Sequence, residues 1–168
     1  MEKIKVFFDT NVLVYAHDEL SPFHKESAEL LDMAIEGVIE GVISEQNLME
    51  LYRIFTNSTA MRGNPLTPVA VKLLFEETYL NGSFGLIYPT RDIMFKTISI
   101  ASAINAISAK IFDVRIAAQA LSANVTYLVT YNINDIVGVE GLTSMLPGEI
   151  ITVVQGNREG NNDQKSQE

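Results

Sequence analysis

Short apolar runs alternate along the chain with segments in which apolar residues recur every three or four positions. The runs Ile4–Phe8, Gly41–Ile43 and Thr126–Thr130 are bounded by polar or turn-forming residues, and we interpret them as strands. A loop with a short strand is predicted at Gly82–Pro89, and a last strand at Glu149–Val154.

Helical periodicity predicts five helices between and after these runs. Ser44 and Thr67 are suited to cap helix N-termini, and Pro68 fits the first position of a helix. The segment from Asp92 to about Ile107 is alanine-rich and apolar, so we expect it to be buried. The predicted helices are Pro22–Ile35, Ser44 to about Thr56, one beginning at Thr67 and Pro68, Asp92 to about Ile107, and one beginning at Asp113.

Strands separated by helices predict an α/β fold in which helices cover both faces of a mostly parallel sheet. In such sheets ligands bind at the carboxyl ends of the strands, so that edge is where chemistry is expected. The chain of 168 residues is the size of one domain. Residues 155–168 are polar and lack apolar side chains, and we predict a disordered tail there.

Composition excludes some classes of function and leaves others open. The chain has no cysteine, which excludes disulfides, thiolate metal sites and cysteine nucleophiles. Asp9 interrupts the N-terminal apolar run, which is also too short for a signal peptide or a membrane span, so we expect a cytoplasmic protein with no membrane partner. The net charge of −9 taken alone disfavours nucleic acid, but acids that converge on divalent cations would invert the local field.

Four acids stand where the predicted fold would bring them towards one edge of the sheet. Asp9 follows the first strand, and Asp135 follows the strand that ends at Thr130. Asp113 begins the helix that leads into that strand, and Glu50 lies on the helix after the second strand. Magnesium prefers carboxylate oxygens, and ions of this kind activate water for phosphodiester hydrolysis.

Each acid also has a purely structural interpretation. Asp9 or Asp113 would serve as a helix cap, and Asp135 as an ordinary turn residue. Glu50 points away from the apolar stripe of its helix, so periodicity alone places it on a solvated face.

Four short motifs in this order resemble those of PIN domains, and their spacing is similar to that of VapC-type toxins. The resemblance covers residues 4–154. Its motifs are Asp9-Thr10-Asn11-Val12, the segment from Ser44 to Leu51 that contains Glu50, Asp113 to Ala120, and Thr130-Tyr131-Asn132-Ile133-Asn134-Asp135.

The resemblance implies a three-layer α/β/α fold and a PIN-like nuclease domain over residues 1–154. It implies a metal-dependent endoribonuclease that uses Mg²⁺ or Mn²⁺ on an RNA substrate, and a toxin that forms a homodimer and is inhibited by a small antitoxin protein. The implied catalytic and metal-binding residues are Asp9, Glu50, Asp113 and Asp135, with Thr10, Asn11, Ser44, Thr130 and Asn132 in support.

The fourth position of the site stays open at this point. Many PIN domains carry an acid two residues after the threonine, where this chain has Asn132, whereas others have asparagine there and an acid three residues later, as with Asp135. Two other functions also remain: a catalytically silent PIN fold that only binds, and an aspartyl-phosphate phosphatase. The phosphatase mechanism needs a second Asp two residues after Asp9, where this chain has Asn11.

Overall fold

A five-stranded parallel sheet forms the centre of the described part of the chain, in the order β3-β2-β1-β4-β5. The computed structural model describes residues 3–165, and the side chains of residues 3–157. All four neighbouring strand pairs are parallel, which confirms the predicted α/β class and sharpens the expectation of a mostly parallel sheet. The strands are β1 (Lys5–Phe8), β2 (Glu40–Ser44), β3 (Gly85–Ile87), β4 (Tyr127–Val129) and β5 (Thr143–Met145).

Seven helices in the described residues surround this sheet. The capping signals in the sequence are used as predicted: the side chain of Ser44 accepts a hydrogen bond from the backbone of Asn47, and Thr67 caps a helix whose first residue is Pro68. The helices are α1 (Thr10–Ala16), α2 (His24–Ile35), α3 (Glu45–Phe55), α4 (Pro68–Thr78), α5 (Arg91–Ala103), α6 (Lys110–Ser122) and α7 (Pro147–Lys165).

Both faces of the sheet are covered, which produces the predicted three layers. Along β1, Val6 and Phe8 face one core cluster and Phe7 faces the other, and all three side chains are fully buried. Apolar residues of α1, α2, α3, α4 and α7 belong to the first cluster. Residues of α5 and α6 belong to or pack against the second. Burial on both faces explains why the strands are apolar runs rather than alternating ones.

The register of the central strands fixes the position of the site. Phe8 at the end of β1 pairs with Val129 at the end of β4, so Asp9 and Thr130 emerge side by side. The backbone N–H of Asp9 continues the ladder by donating to the carbonyl of Val129 over 3.0 Å. The two strand ends therefore deliver their first polar residues to the same place.

The predicted strand at Glu149–Val154 is wrong, because these residues form the first part of α7. Ile150, Ile151 and Val154 are all buried in the first core cluster, and their i, i+1, i+4 spacing describes one face of a helix. Glu149 accepts a hydrogen bond from the backbone of Leu146 and so supports the helix start. The β-branched residues favoured a strand, but packing against one core decided otherwise.

The fifth strand is instead β5, a short edge strand of mixed polarity that the apolar pattern did not reveal. Helix α7 continues past residue 154 to Lys165, so the segment predicted as a disordered tail begins inside a helix. Residues 166–168 lie outside the described part of the chain. The division at residue 154 stays a prediction.

Helix α5 is less buried than its composition suggested. Ile93, Thr97 and Ala101 face the core, whereas Met94, Phe95 and Ile98 are more than half exposed. The expectation of a buried helix is therefore wrong for one of its faces. Within the described residues, no helix combines the length and the apolar character that crossing a bilayer requires.

Candidate active site

Asp9 is held at the end of β1 by three hydrogen bonds. Its Oδ1 accepts from the backbone N–H of Thr10, which makes Asp9 the N-cap of α1. Its Oδ2 accepts from the side-chain amide of Asn11 at 2.9 Å and from the hydroxyl of Thr130 at 2.7 Å. The bland interpretation as a helix cap is therefore correct for one oxygen only, since the other is fixed by side chains of two different segments.

Glu50 is held by two hydrogen bonds from neutral donors. The hydroxyl of Thr10 donates to Oε2 at 2.5 Å, and the amide of Gln46, one turn earlier on α3, donates to Oε1 at 2.9 Å. Glu50 is only partly exposed, so the interpretation as a freely solvated helix residue is not what the structure shows. The position of Thr10 directly after Asp9 connects the two acids through one residue.

Asn47 links the start of α3 to the residues around Asp9. Its Oδ1 accepts from the backbone and hydroxyl of Ser44, and its Nδ2 donates to the carbonyl of Phe8 and to the hydroxyl of Thr10. Asn47 is fully buried, and so is Ser44. Ser44 therefore supports the site indirectly, by fixing the asparagine that orients Thr10.

Thr130 and Asn11 complete the support of Asp9. Asn11 donates to the Thr130 hydroxyl at 3.1 Å as well as to Asp9, and its own carbonyl oxygen accepts from the backbone of Tyr131 at 3.3 Å. The backbone N–H of Asn132 donates to the Thr130 hydroxyl at 3.0 Å. The Thr130 hydroxyl thus accepts two hydrogen bonds and donates one to Asp9. The strand end and the following turn are in this way fixed to the carboxylate.

Asp113 and Asp135 are held differently, by a lysine. The ammonium nitrogen of Lys110 lies 3.6 Å from an oxygen of Asp113 and 3.7 Å from an oxygen of Asp135. Asp113 lies in the first turn of α6, but the N-cap of that helix is Ala109, so the alternative in which Asp113 caps the helix is wrong. We call Asp9 and Glu50 the hydrogen-bonded pair, and Asp113 and Asp135 the lysine-bridged pair.

The two pairs line or adjoin one cleft at the carboxyl end of the sheet. Helix α6 and the turn after β4 both contribute to its lining. The residues that line the cleft are Asp9, Asp113, Ile116, Leu128, Thr130, Asn132, Asp135 and Ile136. Asn132 and Asp135 both belong to this lining, so the structure leaves both candidates for the fourth position at the site.

The acids are close enough to influence one another's ionisation. Burial raises the pKa of the Asp9 carboxyl to about 6, against the opposing hydrogen bonds from Thr130 and Thr10, and the charges of Glu50 and Asp113 raise it further. Burial and the charge of Asp135 also raise the pKa of Asp113, whereas Lys110 lowers it. Mutual repulsion of this kind is relieved by a cation.

The donors fit a hard divalent cation in chemical kind, because they are carboxylate oxygens at the mouth of a polar cleft. Their present arrangement does not amount to a finished coordination site. Among the described side chains, no three acids, histidines or cysteines are placed so as to hold one ion. The structure therefore brings the four acids close enough for their charges to affect one another. To hold one ion together, their carboxylates would have to move closer.

Sequence reasoning missed two residues of the site, Gln46 and Asn47. A signal for Asn47 was present: it shares the face of α3 that carries Leu48, Leu51 and Phe55, where a polar residue must find internal partners. Gln46 is four residues before Glu50, which is the spacing at which two helical side chains meet.

Comparisons with known proteins bear on the family and the fold of this chain. The sequence matches the PIN domain family over residues 5–134. A search of curated proteins gives no match.

Several solved structures share the fold at low sequence identity. A DNA-bound VapBC from Salmonella typhimurium aligns with a TM-score of 0.62 and 18% identity, covering 86% of this chain and 98% of its own. A toxin–antitoxin complex from Klebsiella pneumoniae aligns with a TM-score of 0.54 and 19% identity, covering 84% and 97%. VapC20 of Mycobacterium tuberculosis, described as a sarcin-ricin-loop-cleaving toxin, gives 0.54 and 13%, covering 73% and 86%.

Proposed function

The chain belongs to the PIN-domain family, whose members are typically nucleases, and we propose that it is a metal-dependent endoribonuclease and the toxin of a toxin–antitoxin pair. The observation that carries the proposal is the hydrogen-bonded pair, with Asp9 fixed at the end of β1 and Glu50 on α3, near two further acids of the same cleft. No histidine, cysteine or serine is needed for hydrolysis at such a site.

The chain's own residues have separable roles in this proposal. Asp9 and Glu50 present carboxylate oxygens in fixed directions, because Thr10, Thr130 and Gln46 hold them. Asp113 and Asp135 add negative charge to the same cleft, and Asn132 adds a neutral polar group to its lining. A bound Mg²⁺ or Mn²⁺ would supply the positive charge that polarises a phosphodiester and activates water.

The experiment is RNA cleavage by the purified chain with Mn²⁺, Mg²⁺ or EDTA. A mixed pool of single-stranded and structured RNA serves as substrate, and Asp9→Asn is compared with Asp32→Asn, an exposed aspartate on α2 that makes the same change of charge. We expect cleavage that needs metal and that falls at least ~100-fold in Asp9→Asn, since several kcal/mol of charge stabilisation depend on the ligand. Equal activity in the two variants would contradict the assignment of Asp9.

The partners follow from the same proposal. The Klebsiella relative is a toxin–antitoxin complex, and we propose a small antitoxin that covers the acidic cleft of this chain as well. We also propose a homodimer through the exposed apolar face of α5, where Met94, Phe95 and Ile98 stand in solvent. Sedimentation of wild type and Phe95→Asp measures this: a dimer that becomes a monomer in the variant supports the proposal, and a monomeric wild type contradicts it.

A silent binding module is the second candidate, and one observation favours it. Lys110 already neutralises part of the acidic cleft, and no three described acids are arranged around one ion. Such a module would show no change of melting temperature with Mn²⁺, whereas the nuclease would be stabilised by the ion. The phosphatase alternative lacks its acid, because Asn11 donates a hydrogen bond to Asp9 and has no acidic proton to transfer.

A further inference from the structure

Lys110 occupies an unusual place for a cation. It is the first residue of α6, where the helix dipole disfavours positive charge, and the preceding cap residue Ala109 contributes no side-chain hydrogen bond. The helix dipole therefore does not favour a lysine there, although its i, i+3 ion pair with Asp113 supports the helix. Its ammonium group is explained by its neighbours, since it lies between two carboxylates of the cleft.

The distances describe a bridge rather than a pair. The nitrogen is 3.6 Å from Asp113 on its own helix and 3.7 Å from Asp135 in the turn after β4. These acids belong to separate segments, and the near-equal distances put one positive charge between them. A divalent ion bound by the same two carboxylates would have to compete with this ammonium group for their negative charge.

The other acids of the site are treated differently. Asp9 and Glu50 are fixed by amide, hydroxyl and backbone N–H groups, which orient the carboxylates and leave their charge uncompensated. The negative charge of the hydrogen-bonded pair is therefore left for a bound cation. Lys110 already offsets part of the negative charge of the lysine-bridged pair.

Resting on the proposed nuclease function, we propose that Lys110 serves as the built-in cation of the Asp113–Asp135 side, in place of a second divalent ion. The chain then binds one ion, on the side of the hydrogen-bonded pair. The side chain of Lys110 is about one-third exposed, so a phosphate of the substrate can reach it from solvent. Lys110 would contact that phosphate directly.

The test measures Mn²⁺ binding by titration calorimetry and melting temperature, independently of activity. Lys110→Met removes the charge, and Lys110→Arg keeps it. Lys72→Met is the matched control. Like Lys110, Lys72 forms an ion pair with an acid of its own helix, in this case Glu76, but it lies on α4, which does not line the cleft. We expect one Mn²⁺ per chain for wild type, Lys110→Arg and Lys72→Met, and a second Mn²⁺, or at least ~10-fold tighter binding of the first, for Lys110→Met.

The contrary outcomes are equally definite. Two ions bound by the wild type would overturn the inference, and so would Lys110→Met that binds as Lys72→Met does or that loses the ion. Failure of the inference is distinguishable from failure of the proposed function. If the wild type binds one ion and cleaves RNA while Lys110→Met binds Mn²⁺ with the same number of ions and the same affinity, only the inference fails. If the wild type binds one ion and Lys110→Met binds a second, but neither protein cleaves RNA, the inference stands and the nuclease proposal fails.

Discussion

The two acid pairs of the cleft have similar chemistry but opposite surroundings. The hydrogen-bonded pair, Asp9 and Glu50, accepts five hydrogen bonds from neutral groups, and these donors lie in β-strand ends and helix starts. The lysine-bridged pair, Asp113 and Asp135, is more than 40% exposed and is held by ion pairs to Lys110 at the longer distances of 3.6 and 3.7 Å. The hydrogen-bonded pair is thus fixed by the strands and helices around it, whereas the lysine-bridged pair is partly exposed and held by one flexible side chain.

The difference bears directly on the proposed binding of a cation. Neutral donors fix a carboxylate in place without cancelling its charge, at the cost of the repulsion that raises the pKa of Asp9. A lysine removes part of that repulsion but also removes part of the reason to bind an ion. The site therefore divides into a rigid side with unmet charge and a looser side whose charge is partly met.

The largest effect is expected where the hydrogen-bonded pair joins the core, at Asn47. Asn47→Leu keeps the number and branching of the side-chain heavy atoms but removes the hydrogen bonds that the side chain makes to the hydroxyl of Thr10, the carbonyl of Phe8 and the polar groups of Ser44. Each buried polar group left unpaired costs roughly 1–3 kcal/mol, so the free energy of unfolding should fall by about 2–4 kcal/mol. Urea denaturation measures the change.

The control for this prediction is Asn64→Leu. Asn64 is exposed in the segment between α3 and α4, and its replacement should change the unfolding free energy by less than about 0.5 kcal/mol. Equal effects of the two substitutions would show that the asparagine network contributes no more than an exposed residue does. The claim that the hydrogen-bonded pair is held more firmly than the lysine-bridged pair would then be contradicted.

The fold was predictable from sequence where one signal dominated. Helices α3 and α4 carry cap residues at Ser44 and Thr67, and the central strands are apolar because both faces of the sheet are buried. The error at Glu149–Val154 arose because β-branched composition is a weak signal beside the tertiary choice of which face to bury. The edge strand β5 is short and partly polar, so its pairing with β4 leaves little trace in the sequence.

The sequence predicted which residues come together in the candidate site, but it did not predict what surrounds each of them. Motif order picked out Asp9, Glu50 and their supporting residues Thr10 and Thr130, which the structure brings into one network. It did not distinguish acids held by neutral donors from acids held by a lysine. That distinction depends on where the side chain of Lys110 lies relative to two separate segments, which only the tertiary structure determines.

A change of intermediate size in the unfolding free energy is expected when the pH is varied, because the Asp9 carboxyl titrates. Its pKa is about 6 in the folded chain and about 4 when unfolded, so between these values the folded state holds more protons. Stability should therefore fall as pH rises from 4 to about 6.5 in EDTA and then level off, by about 2 kcal/mol once partial solvent screening is allowed for. Unfolding free energies at a series of pH values measure the slope.

Asp9→Asn isolates this contribution, because the other titrating groups remain in both proteins. The difference in unfolding free energy between wild type and variant should change across the same pH range, in favour of the variant at higher pH. Addition of Mn²⁺ should restore stability to the wild type at pH 7 and leave the variant less affected. A pH-independent difference between the two proteins would contradict the raised pKa of Asp9 and, with it, the unmet charge of the rigid side.

The smallest effect is expected from Asp135→Asn, and it tests the comparison most directly against Glu50→Gln. Asp135 is 44% exposed and Lys110 is 32% exposed, and an ion pair with that much solvent contributes little, so the unfolding free energy should change by less than about 0.5 kcal/mol. Lys110 also retains Asp113 as a partner after the substitution. Glu50→Gln instead turns an amide group towards a donor, either Thr10 or Gln46, and should cost about 1 kcal/mol or more. Urea denaturation in EDTA gives both values. If Asp135→Asn lowers the unfolding free energy as much as Glu50→Gln does, the lysine bridge contributes to the stability of the fold. The two pairs would then differ in the charge of their partners, neutral or positive, but not in how firmly they are held.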